Sequence, residues 1–287
     1  MTASKIILVP GQGSIKRNQI VSAINTDIGK KLSSSYIQEI PEFKDMLDYY
    51  INNSSINPQD IDVNLYSMWS SFFYCDWVIK TRHINLDDIN KIITYSAGII
   101  FAAYYTQQIN LNKALRFMQK RAKLLSQCTG YEMYVYVTNN AKNLFEIARQ
   151  EDLQIYPSIK WDKNKGVLVA KRISLEKNIK KLNLILKVKP LGIQIPYHSL
   201  ALDKYIKEYT KIVDELEIHE NIYGKLIFFN KTSSLREEII YELNNVFDWD
   251  DILTNLTKFN NSSFIDISPN KFMIRSLTKR MRRMNND

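Results

Sequence analysis

Apolar positions along this chain fall into short β-branched runs separated by stretches of helical period. Residues 6–9 (Ile-Ile-Leu-Val) run straight into Pro10-Gly11, the signature of a buried strand followed by a tight loop. Segments 15–30, 41–52 and 66–82 read as helices with aromatic faces. Residues 92–94 form a second short buried strand, which breaks at Tyr95-Ser96-Ala97-Gly98 into an apolar helix over 99–105. Asn110 is placed to cap the next helix, 111–127. A strand, a sharp turn and a helix in that order predict an α/β architecture.

The rhythm changes between 130 and 190. Strands are expected over 131–137, 153–160, 166–171 and 184–188, with helices over 141–150 and 174–182 and a polar turn at 162–165. The order βαββαβ is that of a small ferredoxin-like unit. The first pattern then resumes: a helix over 203–216, a strand over 225–229, a helix over 235–243 and a strand over 264–267. That strand ends at Ser268-Pro269-Asn270, and a last helix carries Lys279, Arg280, Arg282 and Arg283. The predicted fold is an α/β-hydrolase-like core, residues 1–127 and 193–287, with an inserted small ferredoxin-like subdomain, 128–192.

Composition narrows the function classes. With 45% hydrophobic and 24% charged residues, the chain is no disordered tail. Two cysteines, Cys75 and Cys128, are too few for a disulfide scaffold or a four-cysteine zinc site, and no metal site is expected. The apolar run near the N-terminus is too short for a signal-peptide core. The longest charge-free stretch, 92–112, turns polar half-way, so no membrane span is expected and a cytoplasmic protein is. Lys+Arg number 39 against 30 Asp+Glu, a net charge of +9. That surplus points to a polyanionic partner. No zinc-finger spacing, aromatic RNA-binding signature or basic heptad region accompanies it, so nucleic acid is not the expected partner.

Ser96 is the first candidate for chemistry. A serine on a strand-to-helix elbow is exposed by the turn, and the backbone N–H groups after it can stabilise an oxyanion. Ala97 and Gly98 supply the small residues such a turn needs. Read alone, the same residues also describe a helix cap. A nucleophilic serine needs a base, and the chain has three histidines. His83 and His219 lie in polar surroundings. His198 sits in the apolar segment Ile195-Pro196-Tyr197-His198-Ser199, either as a base or as a packing residue. Gly11-Gln12-Gly13 begins a dinucleotide-type glycine pattern, but Lys16 stands at its sixth position, so that reading fails.

In order and spacing these positions resemble the malonyl-CoA:acyl carrier protein transacylase family of fatty-acid and polyketide synthesis. Val9-Pro10-Gly11-Gln12-Gly13-Ser14 is similar to its N-terminal F-P-G-Q-G-S signature. Tyr95-Ser96-Ala97-Gly98 stands where the family has G-H-S-L-G. Ala114-Leu115-Arg116 and Lys120-Arg121-Ala122 resemble the stretch with the acyl-carboxylate arginine. Residues 195–199 and 264–270 resemble the catalytic-histidine segment and the C-terminal strand and turn. The resemblance implies a Ser96 nucleophile, His198 as base, and backbone N–H groups of Gln12 and Ala97 as an oxyanion hole. It also implies Arg121, Tyr197 and Tyr95 around the acyl group, and a small subdomain that helps shape the acyl pocket. The implied substrates are an acyl-CoA, malonyl or a similar dicarboxylic group, and a phosphopantetheinylated acyl carrier protein. The implied enzyme is a monomer without a permanently bound cofactor.

The sequence departs from the family at Thr94, Tyr95 and Ile99 around the serine, and at Asp248 before Trp249. The resemblance implies that a backbone carbonyl near this position orients the histidine; the alternative is that the Asp248 carboxylate accepts from His198 in a triad-like arrangement. Two other readings share the fold. One is an editing hydrolase that releases acyl groups from carrier proteins. The other is a catalytically degenerate relative that only binds a carrier.

Overall fold

A computed structural model of the 287-residue chain describes residues 4–52, 61–178, 185–219, 225–226 and 232–284. The chain opens with β1 (Lys5–Val9), then α1 (Arg17–Ile24), α2 (Asp27–Glu39), α3 (Phe43–Asn52) and α4 (Ile61–Thr81). Next come β2 (Lys91–Thr94), α5 (Gly98–Tyr105) and α6 (Leu111–Leu125). The middle section is β3 (Tyr131–Thr138), α7 (Ala141–Gln150), β4 (Ile155–Asp162), β5 (Lys165–Lys171), α8 (Arg172–Asn178) and β6 (Ile185–Pro190). The chain closes with α9 (Ile206–Asp214), α10 (Leu235–Asn244), β7 (Phe247–Asp248), α11 (Trp249–Leu256), β8 (Ser263–Asp266) and α12 (Phe272–Met284). Among the described residues no helix is long and apolar enough to cross a membrane.

β1 lies between β2 and β8 in a parallel sheet, with Leu8 opposite both Ile93 and Asp266. Ile6, Ile7, Leu8 and Val9 are fully buried, which is why this strand is an unbroken apolar run and not an alternating one. Leu226 bridges Ile92 in parallel on the far side of β2. That bridge falls within the strand expected at 225–229, whose residues 227–229 lie outside the described residues.

The second sheet has the order β6-β3-β5-β4-β7. Its first four strands are antiparallel neighbours. With α7 and α8 as the connections, this is the split βαβ order expected from the sequence. The two-residue β7 was not expected. It joins parallel to β4, with Lys160 opposite Asp248, and so ties the C-terminal part of the chain to the middle sheet.

The expected helix 15–30 is two helices. Thr26 caps α2, its Oγ1 accepting from Gly29 N at 3.0 Å and from Trp77 Nε1 at 2.9 Å. Only glycine fits at 29, because a Cβ there would fall 1.9 Å from the Ala23 carbonyl oxygen. The break lets α2 turn onto α4 through the buried rings of Tyr36, Phe43, Trp69 and Phe73. Each such ring contributes about 1.5–3 kcal/mol by leaving water. That packing fixes α4 so that Met68, Ser71, Phe72 and Cys75 face the C-terminal ends of β1 and β2. Ligands of parallel α/β sheets bind at such strand ends.

Candidate active site

β1 ends in the loop Pro10–Gly13 and β2 ends in the elbow Tyr95–Ala97. The ladder continues one step past the strands, with Tyr95 N donating to Val9 O at 2.9 Å. Two glycines then let loop and elbow touch. A Cβ on Gly11 would lie 2.4 Å from the Tyr95 carbonyl oxygen, and one on Gly98 would lie 2.6 Å from that of Pro10. Ser96 has a φ of +49°, in the left-handed region that side chains rarely adopt. Such strain is found where the surrounding structure over-determines a functional residue. Among the described residues neither the Gln12 nor the Ala97 backbone N–H donates a hydrogen bond, and both residues line the cavity at Ser96. The Gln12 side chain is turned away, donating to Asn64 O.

Ser96 Oγ lies 2.6 Å from His198 Nε2. His198 also has a positive φ, +57°, and its backbone N donates to Leu243 O at 2.9 Å. Its Nδ1 lies 2.5 Å from the Glu242 carbonyl oxygen. A carbonyl can only accept, so Nδ1 carries the proton and Nε2 is left to accept from the serine. Burial, reinforced by the positive charge of Arg121, pushes the His198 pKa down to about 4. The Glu242 carbonyl opposes that shift. The imidazole is therefore neutral at physiological pH.

The Glu242 carbonyl corrects one expectation. The Asp248 carboxylate does not reach His198. It is held by Lys160 Nζ at 2.9 Å and caps α11 by accepting from Asp251 N at 2.9 Å. The β4–β7 pairing sets Asp248 opposite Lys160 and so turns it away from the histidine.

Arg121 reaches the same cavity from α6. That helix buries Ala114, Phe117, Met118, Arg121, Ala122 and Leu125 along one stripe, so its arginine lies on the apolar face, 8% exposed. The guanidinium sits 4.7 Å from the centre of the Tyr197 ring, and its Nη1 lies 2.9 Å from Met68 Sδ; Tyr209 lines the same cavity from α9. No carboxylate pairs with it within ion-pair distance among the described residues. Tyr197 thus packs behind the arginine, with its own hydroxyl buried and without a hydrogen-bond partner.

Tyr95 does not join this site. Its ring packs among Phe247, Trp249 and Phe272, and its hydroxyl accepts from Trp161 Nε1 at 3.0 Å. It lines a separate cavity of about 270 Å³. The middle section 128–192 also contributes none of the described cavity lining, contrary to its expected part in shaping the acyl pocket. It acts one step removed, through Ser158, whose Oγ donates to the Tyr197 carbonyl at 2.8 Å.

Met68, Tyr209 and Glu242 line the cavity without having been anticipated. Glu242 did leave a trace in the sequence. Leu235, Glu238, Ile239, Glu242 and Leu243 form one helical stripe, and two glutamates interrupt its apolar side. The remaining walls include Phe72, Ile100, Phe101, Phe117, Met118 and Ile239. They leave a cavity of about 30 Å³. A water needs roughly 10–15 Å³ on this scale, so the space suits a short group and not a long chain.

No protein-family model and no curated protein matches the sequence. The fold does match solved structures. A malonyl-transacylase determined in complex with its type II polyketide-synthase acyl-carrier protein superposes with a TM-score of 0.80 at 14% identity, over 97% of this chain and 93% of that one. The Helicobacter pylori malonyl-CoA:acyl carrier protein transacylase gives 0.77 at 14% identity, over 96% and 98%. The Coxiella burnetii malonyl CoA-acyl carrier protein transacylase gives 0.80 at 13%, over 99% and 92%. Over nearly its whole length the chain has the mixed α/β fold of the malonyl-CoA:acyl carrier protein transacylases.

Proposed function

We propose that this protein is an acyltransferase that moves a malonyl, or similarly short dicarboxylic, group from CoA to the phosphopantetheine thiol of an acyl carrier protein. Ser96 Oγ attacks the thioester carbonyl while its proton passes to His198 Nε2. The tetrahedral oxyanion accepts hydrogen bonds from the Gln12 and Ala97 backbone N–H groups. Collapse breaks the C–S bond, and the CoA thiolate takes the proton from Nε2, leaving an acyl-Ser96 ester. In the second half His198 takes the proton of the carrier thiol, the sulfur attacks the ester, and the proton returns to Ser96 Oγ. Residues 1–127 and 193–287 would form the subdomain that holds this chemistry, and 128–192 the small one beside it.

The observation that carries the reading is the buried Arg121 guanidinium without a carboxylate partner, in one cavity with the Ser96–His198 pair. An ion held in an apolar wall is costly unless something of opposite charge meets it. A distal acyl carboxylate matches the planar donor fork. The same cation favours the transferase over a hydrolase of uncharged acyl groups. The surplus of positive charge fits phosphate-bearing CoA and an acidic carrier.

The test is direct. The protein is incubated with malonyl-CoA, examined by intact mass for an adduct on Ser96, and then given a holo carrier protein. An adduct that passes to the carrier supports the proposal. An adduct lost only to water makes the protein a hydrolase, and no adduct leaves it a carrier-binding relative without chemistry.

A further inference from the structure

Glu242 is 8% exposed and lines the cavity that holds Ser96, His198 and Arg121, and its carboxyl interacts electrostatically with Arg121 and Tyr209. Its backbone carbonyl orients the histidine. Its carboxyl group, by contrast, has no hydrogen-bond or ion-pair partner among the described residues. Such a group is costly to bury unless a ligand meets it or it keeps its proton. We propose that Glu242 is a specificity residue: as a neutral carboxylic acid it donates a hydrogen bond to the distal carboxylate of the acyl group, beside the cationic fork of Arg121. This rests on the acyltransferase reading and extends it.

Three titratable groups interact with this carboxyl. Glu238 lies one turn earlier on α10, itself 4% exposed and hydrogen-bonded by Thr232. Arg121 acts on it from α6 and Tyr209 from α9, while His198, held by the Glu242 backbone carbonyl, shares the cavity. Burial pushes the Glu242 pKa well above the ordinary carboxylate range, Glu238 pushes it the same way, and Arg121 opposes them. Burial and Glu238 thus both bias Glu242 toward its protonated form. A neutral acid can donate to an anion, as in the ketosteroid isomerase oxyanion hole. Once Glu242 ionises, two carboxylates would share one guanidinium and repel each other. The cavity is then a filter that admits a carboxylated acyl group at neutral pH and loses that preference in alkali. A malonyl group gains from the donor, whereas an acetyl group has nothing for it to hold.

The experiment compares the pH dependence of kcat/KM for malonyl-CoA and acetyl-CoA. With the wild-type protein, the malonyl profile is expected to fall on the alkaline side while the acetyl profile stays level there. In Glu242→Gln, which keeps a neutral donor at all pH values, the alkaline fall in the malonyl profile is expected to vanish. In Glu242→Leu the malonyl-to-acetyl preference at neutral pH should drop about tenfold or more, the worth of one hydrogen bond to a charged group. Coincident malonyl and acetyl profiles in the wild type overturn the inference even if both variants misfold. An unchanged alkaline fall in Glu242→Gln overturns it as well. Failure of malonyl-CoA to acylate Ser96 at any pH removes the acyltransferase reading and this inference together, whereas an acylated Ser96 with coincident profiles removes only the inference.

Discussion

Replacing Arg121 with Met separates a binding role from a structural one. Met keeps the length and apolar character of the stem and removes the charge. Holding the unpaired guanidinium in its apolar wall costs several kcal/mol. Against this, the face of Tyr197 returns about 2 kcal/mol. Without its ligand the protein is thus expected to gain about 1–2 kcal/mol from the substitution, a rise in Tm of roughly 2–8 °C. Activity should move the other way. Two charge-assisted hydrogen bonds at about 1.5–2 kcal/mol each correspond to a fall of about 10²–10³ in kcat/KM for malonyl-CoA. Acetyl-CoA, with no carboxylate, should suffer far less. Arg121 also depresses the His198 pKa, so its removal should move the acid limb of Ser96 acylation to higher pH. The measurements are calorimetric Tm, kcat/KM for both thioesters, and the acid limb with acetyl-CoA. A lowered Tm with equal losses for both acyl groups would refute the reasoning and make Arg121 a packing residue.

Asp248→Asn should leave the rate of Ser96 acylation unchanged. It should cost up to about 1 kcal/mol in a urea melt, because only the part-exposed pair with Lys160 is lost. His198 should make stability depend on acidity. Below pH 6.5 the unfolded chain takes up a proton that the folded chain refuses until about pH 4. Stability is therefore lost as the pH falls through that window, by about 3 kcal/mol, and the raised Glu242 works in the opposite sense. Comparing urea midpoints of the wild type and His198→Asn across pH 4–7 isolates the histidine, and parallel curves would exclude it. Gly98→Ala should cost about 1–3 kcal/mol and impair Ser96 acylation, since its Cβ would push the Pro10 carbonyl and the Gln12 loop away. A variant with wild-type stability and acylation would show that the contact is slack.

The local features of this protein were legible because they are local in cause. A fully buried parallel strand must be an apolar run, so residues 6–9 and the Ile92-Ile93 pair declare themselves. The elbow needs small residues beside Ser96, and the glycines at 11 and 98 stand where two backbones meet. The split βαβ order of the middle section follows from its alternation of periods. Ser96, His198, Gln12, Ala97 and Arg121 were each nameable from motif and order, and they do converge on one cavity.

Tertiary packing decided the rest. Which carbonyl meets the His198 ring depends on where α10 lies against the segment carrying His198, and that placed Glu242, not Asp248, behind the base. The pairing of β7 with β4 depends on two strands 88 residues apart, and it gave Asp248 to Lys160. The direction of Tyr95 was set by the aromatic rings around it, from residues 247, 249 and 272. The burial of Glu242 could not be read from its helix alone. A glutamate on a half-apolar stripe faces water or a cavity according to what packs against it, and only the assembled α6, α9 and α10 enclose it with Arg121.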